Sequence, residues 1–502
     1  MLIDAQGTIV HPETKARMTS MTQQTSVPFP QKCAFGVGML ANQMFPAALA
    51  IFMVVLVKGL GLNPFYWGIL FFLPRLSDAL TDPIMGFISD NTKSRWGRRR
   101  PYIFLGAIIA GVSFIFMWQL HPENGEIYNF WYFLLISFVF YLGLTIFATP
   151  YVAMGYEMSS DFHERTRLMA VAQWIGQWAW VIVPWFWVIL YDPEIYPDAA
   201  AGARSLAVWV GLGCMIMGMV PAVFCKTQPV DPSKLEKISA ENLGKNIGSV
   251  ASGFVAAFRC RPFVQICLAT FFVFNAFNTV AGLSWFIIVY YMNNGNPGAA
   301  GKWPSLFGCV SALMTCFLVI PIITLLSQKY GKKNAFLISQ GISILGYLSF
   351  WWCFNPANPY LMFLPLPLFA FGIGGLFTIM MSMTADVCDL DELNTGARRE
   401  GVFGAVYWWM VKFGFAIAGL GQGLILGWIG FDQDVPDQTP GALNGLRLAY
   451  ILVPVIGTLI AIAIMWKYDL NQERANEIRE QLAARKKHPS GPMNESNTDT
   501  PG

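Results

Sequence analysis

Charge is scarce in this chain. Asp, Glu, Lys and Arg make up 13% of its 502 residues, roughly half the share of about 25% usual in soluble domains. That shortage excludes a soluble enzyme and a disordered chain, whose solubility rests on charge. A net charge of +3 is too small for the basic surface a nucleic-acid binder needs. The nine cysteines sit singly in apolar runs, with no CxxC pair and no metal-ligand spacing, and read as small buried hydrophobes. Histidine is rarer: His11, His121, His163 and His488 are far apart in predicted loops or tails. No zinc site, His-based triad or bound cofactor is therefore expected, and no residues support catalysis. Residues 1–31 lack the apolar core of a signal peptide, so the first hydrophobic segment is expected to persist as a helix.

What the chain has instead is apolar length. The AVILMFWYC set supplies 55% of the residues, close to the demand of twelve membrane-spanning helices of ~20–25 residues each. A transmembrane barrel would show short alternating segments rather than long apolar runs, so the fold class is all-α membrane protein. The apolar runs place spans near 32–58, 64–88, 101–120, 128–155, 166–192, 204–225, 262–292, 304–327, 333–355, 358–385, 400–430 and 444–467. Eighteen Lys and Arg fall in one set of connections, including Lys93, Arg95, Arg98, Arg99 and Arg100 after the second span, Lys234 and Lys237 in the central connection, and Arg398 and Arg399 before the eleventh span. The opposite connections carry Arg204 and Lys302 but otherwise acids, among them Glu123, Glu126, Asp192, Asp432 and Asp437. The positive-inside rule then puts both termini in the cytoplasm.

The organisation is a weak repeat. SRWGRRRPYIFLGAI (94–108) corresponds to QKYGKKNAFLISQGI (328–342), and Glu157 with Arg165 and Arg167 corresponds to Asp386 with Arg398 and Arg399. Two pseudo-symmetric six-helix bundles with a site between them are the layout of a major facilitator. The expected domains are an N-terminal cytoplasmic segment (1–31), a first bundle (32–225), a central cytoplasmic loop (226–261), a second bundle (262–467) and a cytoplasmic tail (468–502).

The second span breaks the apolar pattern with Arg75, Asp78 and Asp82. A charge at membrane depth costs about 2.5–3.5 kcal/mol on insertion scales, so three in one span point to a polar cavity. Asp78 and Asp82 are one helical turn apart and share a face, with Thr81 between them. Paired carboxylates and a hydroxyl suit Na⁺, with Asp78 and Asp82 as its ligands, or a shared proton. The alternative is a buried Arg75–Asp78 pair that only orients helices. Lys412 is the one basic residue inside the eleventh span; Asp78 or Asp82 would be its acceptor if both helices line the cavity, and otherwise it snorkels to an interface.

RLSDALTDPIMGFISDNTKSRWGRRRPYI (75–103 with Leu73 and Pro74 before it) and TADVCDLDELNTGARREGVFGAVYWWMVK (384–412) resemble the glycoside–pentoside–hexuronide:cation symporters, the melibiose-permease branch of the major facilitators. The resemblance implies a cation site at Asp78, Thr81, Asp82 and Thr145, with Lys412 shaping the cation and substrate region, and a bacterial inner-membrane location. It also places Arg75, Asn275 and Asn278 in the cavity. The galactoside-gripping acids and tryptophan of that branch are replaced by Gln43, Ala148 and Val152, and a fifth-helix arginine by Gln173.

Amides and indoles remain as sugar-binding chemistry. Gln43, Gln173, Gln177, Asn275 and Asn278 offer amides, with Asn42 beside them, and Trp178 with Trp174 offers aromatic faces on the fifth span, where packing is the competing role. The expected function is uptake of a glycoside or related sugar driven by Na⁺ or H⁺, with membrane lipid as the surroundings, no nucleic-acid partner and a monomer as the working unit. Alternatives are a carrier of an anionic sugar, with Arg75 or Lys412 as its partner, a carrier of a lysolipid-like amphiphile, and a sugar sensor that does not transport.

Overall fold

The computed structural model describes residues 2–3, 9–10, 27–159, 162–192, 194–226, 238–396, 400–432 and 435–487. Lys234, Lys237, Arg398, Arg399 and the end of the tail lie outside them. A two-residue strand pair, β1 (Leu2–Ile3) with β2 (Ile9–Val10), comes first; among the described residues the other regular elements are helices.

The first six spans are α1 (Phe29–Lys58), α2 (Pro64–Asn91), α3 (Arg100–Met117), α4 (Glu126–Glu157), α5 (Phe162–Ile182) and α6 (Ala199–Phe224). Pro184 interrupts the fifth span, which continues through a 3-10 turn (Val183–Trp185) into Phe186–Tyr191. After α7 (Ala240–Arg259) come α8 (Arg261–Tyr291), α9 (Trp303–Tyr330), α10 (Lys332–Cys353) and α11 (Pro359–Thr395). Last are α12 (Glu400–Trp428), α13 (Pro440–Trp466) and a charged α14 (Gln472–Lys487).

Among the spans that begin earlier than hydrophobicity alone places them are α6 and α13. Asp198 accepts from Ala201 N (2.7 Å) and Thr439 from Ala442 N (3.2 Å), and these N-caps satisfy amides that would otherwise be orphaned. The central 226–261 connection, expected as a loop, contains α7, capped by Ser239 and packed on α2, α8 and α12. Among the described residues, eleven helices are long and apolar enough to cross a membrane. The charged α2 is not one of them, since Arg75, Asp78, Asp82 and Asp90 lie in it.

The repeat has a structural counterpart. Arg99 reaches Glu157 (2.9 Å) and Asp90 (2.5 Å), and Arg98 also pairs with Glu157. In the second half Lys332 reaches Asp386 (2.6 Å). Each bundle thus ties its basic turn to an acid in the C-terminal part of its fourth helix.

Packing distinguishes the two ends of the molecule. At the acid-bearing end one hydrophobic cluster crosses both halves, joining Phe52, Trp67 and Trp187 to Trp285, Phe286 and Tyr450. There Trp187 stacks on Trp285 with centroids 5.3 Å apart, and Lys58 lies over the Tyr290 ring at 4.8 Å. At the Lys/Arg-rich end the clusters separate: one belongs to the first half, around Phe35 and Tyr151, and one to the second, around Phe263 and Tyr407. The halves are sealed at the acidic end and packed independently at the basic end.

Glu164 at the start of α5 ties down the chain entering α1. It accepts from Val27 N (2.9 Å) and pairs with Lys32 (2.7 Å) in a buried contact. The Lys32 hydrogen bond, opposed by burial and helped by the Val27 amide, holds the carboxyl below its ordinary value. A depressed folded value means the stabilisation is complete above about pH 4.3 and is lost as pH falls through the folded value. Glu164→Gln is expected to destabilise the purified protein by about 3 kcal/mol at pH 7. In thermal unfolding the gap to wild type should shrink below about pH 4; a gap constant from pH 7 to 3 contradicts the assignment.

Candidate functional site

The site grows out of one seam. Helix α2 of the first half lies antiparallel to α12 of the second, and small residues set their spacing. A Cβ on Gly68 would stand 3.1 Å from Leu420 O, and one on Gly419 would meet the Phe71 ring. From the sealed end inwards, Phe71 faces Gly419, Arg75 faces Phe415, and Asp78 and Asp82 face Lys412. On α2 these positions recur every three or four residues, so one stripe carries an aromatic, a cation and two acids to the same neighbour.

Lys412 is held by both acids. Its Nζ lies 2.8 Å from Asp78 Oδ2 and is also bonded to Asp82 Oδ2. The other carboxylate oxygens turn to α4, where Thr145 Oγ1 donates to Asp78 Oδ1 (2.5 Å) and Thr149 Oγ1 to Asp82 Oδ1 (3.1 Å). Thr81 Oγ1 lies 3.2 Å from Thr145 Oγ1 and donates to the Asp78 carbonyl (3.1 Å). Pro74 and Pro83 bracket the acids and each removes one backbone hydrogen bond from α2, loosening the helix where it carries polar groups. Asp78 is 9% exposed at its side chain, whereas Asp82 and Lys412 are about a third exposed at 31% and 32%. The deeper acid is thus enclosed, and the acid one turn nearer the basic end is reachable.

Asp78, Thr81, Asp82, Thr145 and Lys412 therefore form one constellation of hard oxygens around an ammonium. Thr149 belongs to it and was not singled out in the sequence. Its signal was present: Thr145 and Thr149 are four apart on α4, matching Asp78 and Asp82 on α2.

The amides divide. Gln43 Nε2 donates to Gln173 Oε1 (2.8 Å), Trp180 Nε1 donates to Gln43 Oε1 (2.9 Å), and Gln177 Oε1 lies 3.9 Å from Cys316 Sγ on α9. Residues 173, 177 and 180 share one face of α5, turned towards α1 and α9. Trp174 and Trp178 are each rotated by about 100° from those glutamines; they pack against each other (6.2 Å) and are exposed. The indole that joins the amides is Trp180, not Trp178. Among the described residues, Asn42 donates only to Met39 Sδ at 3.9 Å. Asn275 and Asn278 do not join the group. Asn275 donates to Gly414 O (3.4 Å), and Asn278 donates to Phe274 O (2.7 Å) while its own carbonyl accepts from Gln422 (2.7 Å). Both serve the packing of α8 on α12. Arg75 is buried and stays apart from the acids.

The sequence profile of the MFS/sugar transport protein family matches residues 34–472. The glucuronide carrier protein homolog of Escherichia coli (strain K12) is 26% identical over 462 residues, covering 90% of this chain and 95% of its own. The isoprimeverose transporter of Lactiplantibacillus pentosus is 23% identical over 456 residues, covering 89% and 90%. Among solved structures, a bacterial homolog of the human lysosomal transporter Spinster, inward-facing and unoccupied, superposes with a TM-score of 0.63 at 13% identity, covering 90% of this chain and 99% of its own.

Removing the ammonium leaves two carboxylates one turn apart without their counter-charge. Lys412→Met is expected to cost about 3 kcal/mol or more in thermal unfolding. Adding Asp78→Asn and Asp82→Asn to the same chain should recover most of that loss. Losses that simply add contradict the coupling.

Proposed function

Because the chain belongs to the MFS/sugar transport protein family, and within it to the glycoside–pentoside–hexuronide:cation symporters, we propose that it is a symporter coupling Na⁺ or H⁺ to uptake of a sugar. Its place is the bacterial inner membrane, with the Lys/Arg-rich end and both termini in the cytoplasm, and its working unit is one chain.

The observation that carries the reading is that the groups suited to the ion are also the groups that join the halves. Lys412 of α12 neutralises Asp78 and Asp82 of α2. A cation at Asp78, Thr81, Asp82 and Thr145 would compete with that ammonium for the same oxygens. Ion binding then changes how tightly one half holds the other, which is the differential affinity that coupling requires. No bond is made or broken in the solute, so the chain works by changing which end is open rather than by catalysis.

The packing supports the direction. The end sealed by Trp187, Trp285 and Tyr290 would be periplasmic, and the separately packed basic end cytoplasmic, so this conformation is the inward-facing one. The pair Gln43–Gln173, with Trp180, supplies donors, acceptors and an aromatic face for sugar hydroxyls and the C–H surface of a ring.

Asp78→Asn and Asp82→Asn should each abolish ion-driven accumulation in reconstituted vesicles, while wild-type accumulation in both variants refutes the ion site. Thr149→Val removes one hydrogen bond from Asp82, worth about 1 kcal/mol. It should raise the half-saturating ion concentration about fivefold, read from uptake against ion concentration; an unchanged value removes Thr149 from the site.

A further inference from the structure

The repeat that relates the two bundles also relates their seams. Extending the match of 94–108 with 328–342 carries SDALTD (77–82) of α2 onto SALMTC (311–316) of α9. The match of Arg165 with Arg398 carries Lys412 of α12 to within two residues of Gln177 of α5. The charged α2–α12 seam therefore has a counterpart, α9 against α5. Ser77 and Thr81 recur there as Ser311 and Thr315, but the acids Asp78 and Asp82 become Ala312 and Cys316.

The counterpart is built on the same plan. Towards the acidic end small residues set the spacing: Ser305 Oγ donates to Pro184 O (2.5 Å), and a Cβ on Gly308 would stand 3.1 Å from Pro184 Cγ. Further along α9 the Cys316 thiol donates to Gln177 Oε1 at 3.9 Å. Residues 305, 308 and 316 thus share the face of α9 turned towards α5. At Cys316 the helix passes into a π-helical turn (Thr315–Val319), a break that recurs at functional sites.

What differs is the strength of the central contact. Between α2 and α12 an ammonium meets two carboxylates, whereas between α5 and α9 a weak thiol donor meets a neutral amide. Cys316 and Gln177 are both half-buried, and Gln173, one turn from Gln177 towards the basic end, is exposed. A hydroxyl bonds an amide more strongly than a thiol does, so a polyol can replace this contact readily. A cation gains little there without a carboxylate.

We propose that the sugar binds across the α5–α9 seam, where its hydroxyls replace the Cys316 thiol on Gln177. Cys316 is then the specificity-determining residue that the second half contributes, and its small side chain leaves the room that the sugar ring occupies. The inference rests on the sugar-symporter reading and adds the α9 side of the sugar site to it. Ion and sugar each act on one of two symmetry-related junctions, the ion through charge and the sugar through neutral hydrogen bonds.

The test uses the full-length chain in vesicles and a panel of methyl glucoside, methyl galactoside, methyl xyloside and methyl glucuronide. A transported member at saturation should slow alkylation of Cys316 by N-ethylmaleimide about fivefold or more, followed peptide by peptide, and should change that of Cys353 by less than about twofold. Half protection should fall at the KM of uptake. Cys316→Leu fills the proposed space and should raise KM about tenfold or more, whereas Cys316→Ser should keep it within about threefold. In Cys316→Leu the ion concentration that half-protects the sugar-free chain against thermal unfolding should stay within about twofold of wild type. Cys316 that does not react without sugar, Cys316 that reacts equally with it, or wild-type KM in Cys316→Leu overturns the inference and leaves the symporter reading standing. The labelling of wild type decides the matter by itself if the variants do not fold. Vesicles that take up no sugar defeat the symporter reading, and this inference with it.

Discussion

A single ammonium bridges the two halves of this protein, and the arrangement around it follows from the cost of charge in an apolar medium. Asp78 and Asp82 stand one turn apart on α2, where two carboxylates without a partner would be strongly disfavoured. Lys412 supplies the partner from α12, and Thr145 and Thr149 on α4 satisfy the oxygens that face away from it. Three helices from both bundles are therefore fixed relative to one another by one small polar cluster. The glycines along the seam, Gly68 and Gly419 among them, let the backbones approach closely enough for the short aspartates to reach.

That arrangement gives the carrier its logic. Stacked aromatics close one end across both halves, while at the other end the apolar clusters of each half are complete within themselves. A junction with two discrete packings can be biased by whatever sits on its charged centre. Under the proposed coupling, an ion that replaced Lys412 on the acids would alter the junction itself, so binding and movement would need no separate linkage. Asp82, nearer the basic end, is more exposed than Asp78, so it would be the first of the two acids to meet an ion arriving from that end.

Much of this is legible in the sequence because membrane helices make their exceptions conspicuous. Three charges in an oily stretch, a four-residue spacing and a lone lysine nine spans further along the chain identify the polar centre without coordinates. The repeat of a glycine and a basic pair marks the turns that make the Arg99–Glu157 and Lys332–Asp386 contacts, while the sequence sets those acids beside later arginines instead. What the sequence conceals is the rotation of helices about their axes. Trp178 is the indole expected beside the amides, yet once α5 is oriented it is Trp180 that reaches Gln43. Asn275 and Asn278 look like cavity amides, yet packing of α8 on α12 uses both. Helix α7 was concealed by polarity, since Ser239 as a cap and the support of α2, α8 and α12 outweigh a composition that reads as loop.

The most direct test of the account is accumulation by the purified chain in sealed vesicles under an imposed sodium or proton gradient. Sugar should be concentrated inside while one of the two gradients lasts, and should leak back to equality when an ionophore dissipates it. Equal sugar concentrations on both sides, whichever gradient is imposed, would contradict it.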